Sequence, residues 1–131
     1  MKGPLYQAAL PIVRNWGGRL AEHSERVGRN VWFISRSDVA AAAGLLHDAV
    51  EDGKMGMGEV ATLIGDEGAR LVGILTRRDG EEYLGAYIQR VKRDRVATLI
   101  KLMDIADNEP GAPGDLGQRY KAARKALNGR G

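Results

Sequence analysis

The residues with most chemical capacity lie in one short stretch, Leu45-Leu46-His47-Asp48-Ala49-Val50-Glu51-Asp52-Gly53, where an imidazole and three carboxylates follow directly on an apolar run. On a helix, residues three and four apart share a face, which sets His47 beside Glu51 and Asp48 beside Asp52. Ahead of them, Asp38-Val39-Ala40-Ala41-Ala42-Ala43-Gly44 is small or apolar on every side, the pattern of a helix enclosed by others. The cluster is therefore expected at the end of a core helix, where neighbouring carboxylates repel one another and lose hydration. A divalent cation is the simplest group that keeps them ionised and paired. With no cysteine and two histidines in the chain, any metal must be held by nitrogen and oxygen donors, and His23 is the one other imidazole.

The elements that must position these groups follow from periodicity. Residues 4–16 form a first helix, with Pro11 as a kink, closed by Trp16-Gly17-Gly18. A second starts at Arg19 and buries Leu20, His23, Val27, Val31 and Phe33, so His23 faces inward. A histidine there is either a satisfied core residue or a ligand. Ser37 or Asp38 caps the central helix, which runs through the His-Asp cluster to a stop at Gly53. After a turn at residues 56–58, a short helix ends at Gly65 and another is capped by Asp66, with Ala69, Val72, Gly73 and Leu75 inward. Residues 76–81 are a polar loop carrying Arg77-Arg78, a substrate lid or simply a loop. Tyr83, Tyr87 and Val91 share one stripe of the next helix. Asp94 caps a helix reaching Ala106 that buries Val96, Leu99, Ile100, Met103 and Ala106. Asp104 and Asn108 lie at i and i+4 on the edge of that stripe, with Lys101 on the same flank. Asp104 is mid-helix, so it is no cap and requires a salt-bridge partner or a ligand. Pro and Gly make residues 109–114 a turn, a basic helix follows over residues 116–127, and Gly129-Arg130-Gly131 is a frayed end. No segment reads as a strand, so the fold class is all-α, one domain over residues 1–131.

The composition, 44% hydrophobic and 28% charged, is that of an ordinary soluble protein. No apolar run approaches the ~20 residues of a membrane span. Met1-Lys2-Gly3-Pro4 lacks the apolar core of a secretion signal, and the chain reads as cytoplasmic. Net charge is +3, but the basic residues cluster at Arg77-Arg78, at Lys92-Arg93 with Arg95, and from Arg119 to Lys125. Such clusters are either solvated surface or a pocket for an anion, phosphate above all. Aromatic content is 5%, and no finger, homeodomain or ribonucleoprotein signature appears, so no nucleic-acid partner is expected.

The candidate donors thus fall in the order His23, His47-Asp48, Asp104. This order resembles the HD-domain superfamily of metal-dependent phosphohydrolases. The longer segments sharpen the likeness: Leu45-Leu46-His47-Asp48-Ala49-Val50-Glu51-Asp52 is similar to the LLHDxxED element of the alarmone hydrolases, and Ile100-Lys101-Leu102-Met103-Asp104-Ile105-Ala106-Asp107-Asn108 to their VKLADxxxN element. Residues 59–65 and 71–76 also resemble the helix pair between those motifs. The resemblance spans residues 19–108 and implies an HD-domain bundle of about six to eight helices. It implies removal of the 3′-pyrophosphate of guanosine tetra- or pentaphosphate, by a water activated at the metal. By matching position, His23, His47, Asp48 and Asp104 would bind the metal, usually manganese in that family. Glu51 and Asp52 would hold or activate the water, and Asn108 would position the ribose or a phosphate.

The chemistry stands on its own terms as well. A divalent ion on two imidazoles and two carboxylates keeps open positions, lowers the pKa of a water and shields a phosphoryl group, while a nearby carboxylate takes the proton. Mixed nitrogen and oxygen donors suit manganese, with zinc or iron as alternatives. Further candidate contacts to a phosphorylated nucleotide are Lys101, Arg77 or Arg78, Arg14 or Arg19, and Arg119 with Tyr120, whose ring could form one wall of a base slot. For each, ordinary surface is the alternative, and for Lys101 an ion pair to a ligand carboxylate. The chain departs from the family at Glu22-His23-Ser24, where proline usually follows the histidine, and in having only Arg14 and Arg19 where an arginine-lysine pair usually precedes it. The segment after Asn108 is shorter than in most stand-alone alarmone hydrolases, so a substrate wall is expected either to be missing or to be supplied by another subunit of a homo-oligomer. Other nucleotide phosphohydrolases of the superfamily (5′-nucleotidases, deoxynucleotide triphosphohydrolases) and a catalytically silent nucleotide-binding module are the competing functions.

Overall fold

The helices are set by where the chain can and cannot continue one. In the computed structural model, which describes residues 2–129, α1 (Pro4–Trp16) begins with proline in its first turn, where no intrahelical N–H is missed. Its freed Leu5 and Tyr6 N–H groups both donate to the Asp38 carboxylate at 2.9 Å. Asp38 thus caps α1 from another element, while its neighbour Ser37 caps the central helix by accepting from Ala40 N–H. Pro11 lies within α1 without ending it. Arg130 and Gly131, read above as frayed, lie outside the described residues, as does Met1.

After Gly17, which takes a φ of 73°, α2 (Gly18–Ser35) buries His23, Ser24, Val27, Gly28 and Val31. Phe33, expected inward, is 55% exposed, because it stands two residues from Val31 and so off the stripe. Then α3 (Asp38–Leu45) runs through the centre, with Ala40 to Leu45 all buried. Glycine lets α2 and α3 meet: a Cβ on Gly28 would stand 2.5 Å from Leu45 Cδ2, and one on Gly44 would stand 3.2 Å from the Gly28 Cα. That approach brings His23, before Gly28, toward His47, after Gly44.

The remaining elements are α4 (Met57–Leu75), a π-helical turn (Tyr83–Tyr87) leading into α5 (Ile88–Lys92), α6 (Arg95–Asn108), a 3₁₀ turn (Glu109–Gly111) and α7 (Gly114–Asn128). α4 bends at Gly65, whose φ of 87° divides it into the two helices the glycine spacing suggests. The fold is all-α, with no strand among the described residues, and a single apolar core joins its helices. Among the described residues no helix is long and apolar enough to cross a membrane. α6 packs against α2, α3, α4, α5 and α7. Its buried face is Ala97, Ile100, Lys101, Asp104 and Ile105, one position away from the expected stripe, while Val96 and Ala106 are exposed. The register differs because Lys101 and Asp104, polar by type, neutralise each other and turn inward together.

Candidate metal centre

Four donors from three parts of the chain converge. His23 of α2, His47 and Asp48 just beyond α3, and Asp104 of α6 each offer a ligand atom, and these atoms all lie within 4.8 Å of one another. His23, His47 and Asp104 are buried, and Asp48 is partly so. This group could hold a divalent metal ion.

The local fold of the His-Asp pair differs from the continuous helix expected. α3 ends at Leu45, and residues 46–53 form a series of turns. The Gly44 carbonyl, which a continuing helix would offer to Asp48 N–H, accepts from the His47 ring Nδ1 at 2.7 Å. Successive i to i−3 bonds, Ala49 N–H to Leu46 O and Gly53 N–H to Val50 O, then tighten the chain. His47 Nε2 and Asp48 Oδ2 consequently face each other at 3.2 Å.

That carbonyl also fixes the tautomer. A carbonyl only accepts, so His47 Nδ1 carries the proton and Nε2 is left facing Asp48 Oδ2 and Asp104 Oδ1, the latter at 3.3 Å. His23 repeats the arrangement: Nδ1 donates to Asp107 Oδ2 at 2.6 Å, and Nε2 lies 2.8 Å from Asp104 Oδ1. Two imidazole nitrogens thus point at carboxylate oxygens, and each meeting needs a positive charge, a second ring proton or a cation. Burial lowers the His47 pKa, but the Asp48 and Asp104 charges more than reverse this and hold it well above the usual value. His23 is raised against the same burial by its bonds to Asp104 and Asp107. Outward Nδ1 donation with inward Nε2 is the way proteins orient imidazoles toward a metal. The donor set therefore fits a divalent cation.

Asp104 is the hub. Burial raises its pKa, yet Lys101 and the two imidazoles hold it well below the carboxylate range. Lys101 Nζ donates to its Oδ2 at 2.7 Å and Asn108 Nδ2 to its Oδ1 at 3.1 Å. Asp107 and Arg26, which donates to it through Nε at 2.6 Å, were not among the sequence candidates. Their signal was helical spacing: Asp107 is i+3 from Asp104, and Arg26 is i+3 from His23.

Beside the four donors opens a cleft of about 210 Å³. Asp48, Glu51, Asp52 and Asp104 line it together with Arg77, Lys101, Asn108, Arg119 and three tyrosines. Glu51 Oε1 accepts from the Arg77 backbone N–H at 2.8 Å, which fastens the start of the polar loop. Asp52, at the exposed edge, has its pKa raised by burial and by the Asp48 charge. Tyr120 lines the cleft from α7. Arg14 is not in it: its guanidinium pairs with Glu25 at 2.7 Å on the outer surface. Arg19 lines a separate depression with Glu22 and Arg26, on the Asp107 side of His23. Tyr83 and Tyr87, placed by sequence on a core stripe, also form cleft wall.

Neither the protein-family models nor the curated proteins include a match to this chain.

Proposed function

We propose that the chain is a metal-dependent phosphohydrolase of the HD type, with His23, His47, Asp48 and Asp104 holding the ion and a phosphorylated nucleotide as substrate. The observation that carries this reading is the pair of imidazoles whose outward Nδ1 groups are already committed while their Nε2 atoms meet two carboxylates, beside a cleft walled by cations. Manganese suits the mixed donors, and the motif likeness makes guanosine tetra- or pentaphosphate the first substrate to test, with loss of the 3′-pyrophosphate. When bound, a divalent ion acidifies a water and withdraws charge from the phosphoryl oxygens.

The residues around the centre divide the remaining work. Asp107 and the Gly44 carbonyl hold the two rings in register, and Lys101 with Asn108 fixes the Asp104 carboxylate. Asp52 is the group suited to take the water's proton: it borders the cleft, and its raised pKa makes it a better base than an ordinary surface carboxylate. As the water oxygen bonds to phosphorus and the bond to the departing oxygen breaks, Asp52 can return that proton to the leaving group. Glu51 ties the Arg77 segment to the acidic wall.

The test is turnover by purified protein with manganese or chelator, on guanosine tetraphosphate, deoxynucleotide triphosphates and nucleoside monophosphates resolved by chromatography. Manganese-dependent release of pyrophosphate from guanosine tetraphosphate, abolished in Asp104→Ala and severely slowed in Asp52→Asn, is the expected result. Turnover of another nucleotide alone would replace the alarmone and keep the reaction class. A protein that binds metal and turns over none of them would be a binding module.

A further inference from the structure

The cleft also carries a group of tyrosines and cations to which the hydrolytic centre, apart from Lys101, gives no task. Two guanidinium groups approach the Tyr83 ring, Arg77 at 5.5 Å and Arg119 at 4.6 Å from its centroid, and the Lys101 ammonium stands 5.1 Å from both the Tyr83 and Tyr87 rings. Within this cluster two polar atoms are buried with no hydrogen bond of normal length, the Tyr83 hydroxyl, on which the Lys101 ammonium acts only from further off, and the Arg119 Nε. Tyr83 is 9% exposed. Its neighbour Tyr87 does not share the defect, since its hydroxyl donates to the Leu75 carbonyl at 2.7 Å. A buried hydroxyl and a buried guanidinium N–H left without such a bond are costly, and both residues line the cleft.

Charge and size say what completes them. Three cations, Arg77, Lys101 and Arg119, line the cleft with four carboxylates, so with a divalent ion on the carboxylates and both imidazoles neutral the set carries a net positive charge. Tyr83 and Arg119 both line the cleft, and a group with negative charge and several acceptor oxygens, as a phosphate has, offers partners to a phenol and to a guanidinium alike. Lys101, bonded to Asp104 Oδ2 on one side and resting on the tyrosines on the other, places this part of the cleft directly beside the metal donors. At about 210 Å³ the cleft falls below the ~300–1,000 Å³ of pockets that enclose a drug-sized ligand, and its lining offers no aliphatic slot.

We infer that Tyr83 and Arg119, with Arg77 and Lys101, form a phosphoryl-binding subsite that recognises the phosphate end of the substrate and leaves the nucleobase at the mouth of the cleft. The inference rests on the phosphohydrolase reading of the same cleft and adds a specificity to it: the enzyme selects the phosphate arrangement and discriminates weakly between bases.

The test is calorimetric titration of inorganic phosphate into manganese-loaded wild type, Tyr83→Phe, Arg119→Gln and Arg119→Lys, with manganese affinity and thermal midpoint measured in parallel. Tyr83→Phe and Arg119→Gln are expected to weaken phosphate roughly tenfold or more while leaving manganese affinity within about twofold, and Arg119→Lys is expected to recover part of the loss. Removal of a buried hydroxyl that lacks a normal hydrogen bond should leave the thermal midpoint of Tyr83→Phe at or above wild type, which a purely structural role for that hydroxyl would not allow. Phosphate affinity unchanged in both Tyr83→Phe and Arg119→Gln would overturn the subsite even if the protein hydrolyses nucleotides. Arg119-dependent phosphate binding in a protein without turnover would uphold the subsite and remove the hydrolase reading. Among substrates differing only in base, kcat/KM values within about tenfold are expected; a preference of a thousandfold or more for one base would overturn the weak discrimination.

Discussion

Lys101→Met removes one half of a buried charge pair while keeping most of the side chain's length. Lys101 is 8% exposed and Asp104 4%, and their 2.7 Å contact lies among the helices α2, α3 and α6. Breaking a buried ion pair by deleting one partner costs about 3–5 kcal/mol, because the other charge stays behind. Here Asp104 keeps His23 at 2.8 Å, His47 at 3.3 Å and Asn108 at 3.1 Å, which places the cost at the lower end, about 3 kcal/mol. Against a total stability of roughly 5–15 kcal/mol this is a large fraction, and for a chain of this length it corresponds to a fall of about 12 °C in the thermal midpoint. The assay is thermal and urea unfolding followed by circular dichroism, with chelator and with manganese. Manganese at a hundred times its Kd should add about 2.7 kcal/mol to wild type, and at least as much to the variant, because the ion supplies positive charge that Lys101 no longer provides. A loss below about 1 kcal/mol in chelator would refute the reasoning, since it would mean that Asp104 is solvated or neutral without its lysine.

Three further outcomes follow from the structure. Asp107→Asn should weaken manganese binding by ~10–100-fold, measured by calorimetry, with little change in helix content, because Asp107 accepts from the His23 Nδ1 and does not itself belong to the donor set. Asp94→Ala should cost about 1 kcal/mol, since the Asp94 side chain caps α6 through Ala97 N–H at 2.8 Å and pairs with Arg70. Burial raises the Asp94 pKa, but these bonds outweigh it and leave the folded value below the usual one. The stabilisation is therefore present above pH about 4 and is lost as pH falls through the folded pKa, so the midpoints of wild type and Asp94→Ala should converge in acid. Gly28→Ala should destabilise by about 1–3 kcal/mol in denaturant titration, because its methyl would meet Leu45 Cδ2 at 2.5 Å where α2 and α3 touch.

Much of the helical framework was legible because apolar spacing and glycine punctuation act locally. α1 ends at Trp16 where glycine takes positive φ, Gly65 divides α4, and Ser37 and Asp94 cap their helices through their own side chains. The four donors could be named from residue type, since few side chains hold a metal and the chain has only two imidazoles. The features that escaped depend on which partner each side chain takes, near or distant in sequence. α3 stops at Leu45 because the His47 ring takes the Gly44 carbonyl, a competition that periodicity does not register. The buried face of α6 was displaced because Lys101 and Asp104 count as polar until paired. Asp38 looked like the cap of its own helix and instead caps α1, thirty-odd residues earlier. The Arg77-Tyr83-Arg119 cluster joins a loop, a π-helical turn and the last helix, and nothing local marks it.

The central claim is that His23, His47, Asp48 and Asp104 form one divalent-ion site. Calorimetric titration of manganese into chelator-treated wild type and the four single alanine variants, with metal content of dialysed samples measured by mass spectrometry, tests it most directly. The account predicts a single ion per wild-type chain and, in every variant, a loss exceeding the ~10–100-fold that removing an outer partner costs. A wild-type protein that takes up no manganese, zinc or iron, or a His47→Ala or Asp104→Ala variant that binds as tightly as wild type, would contradict it.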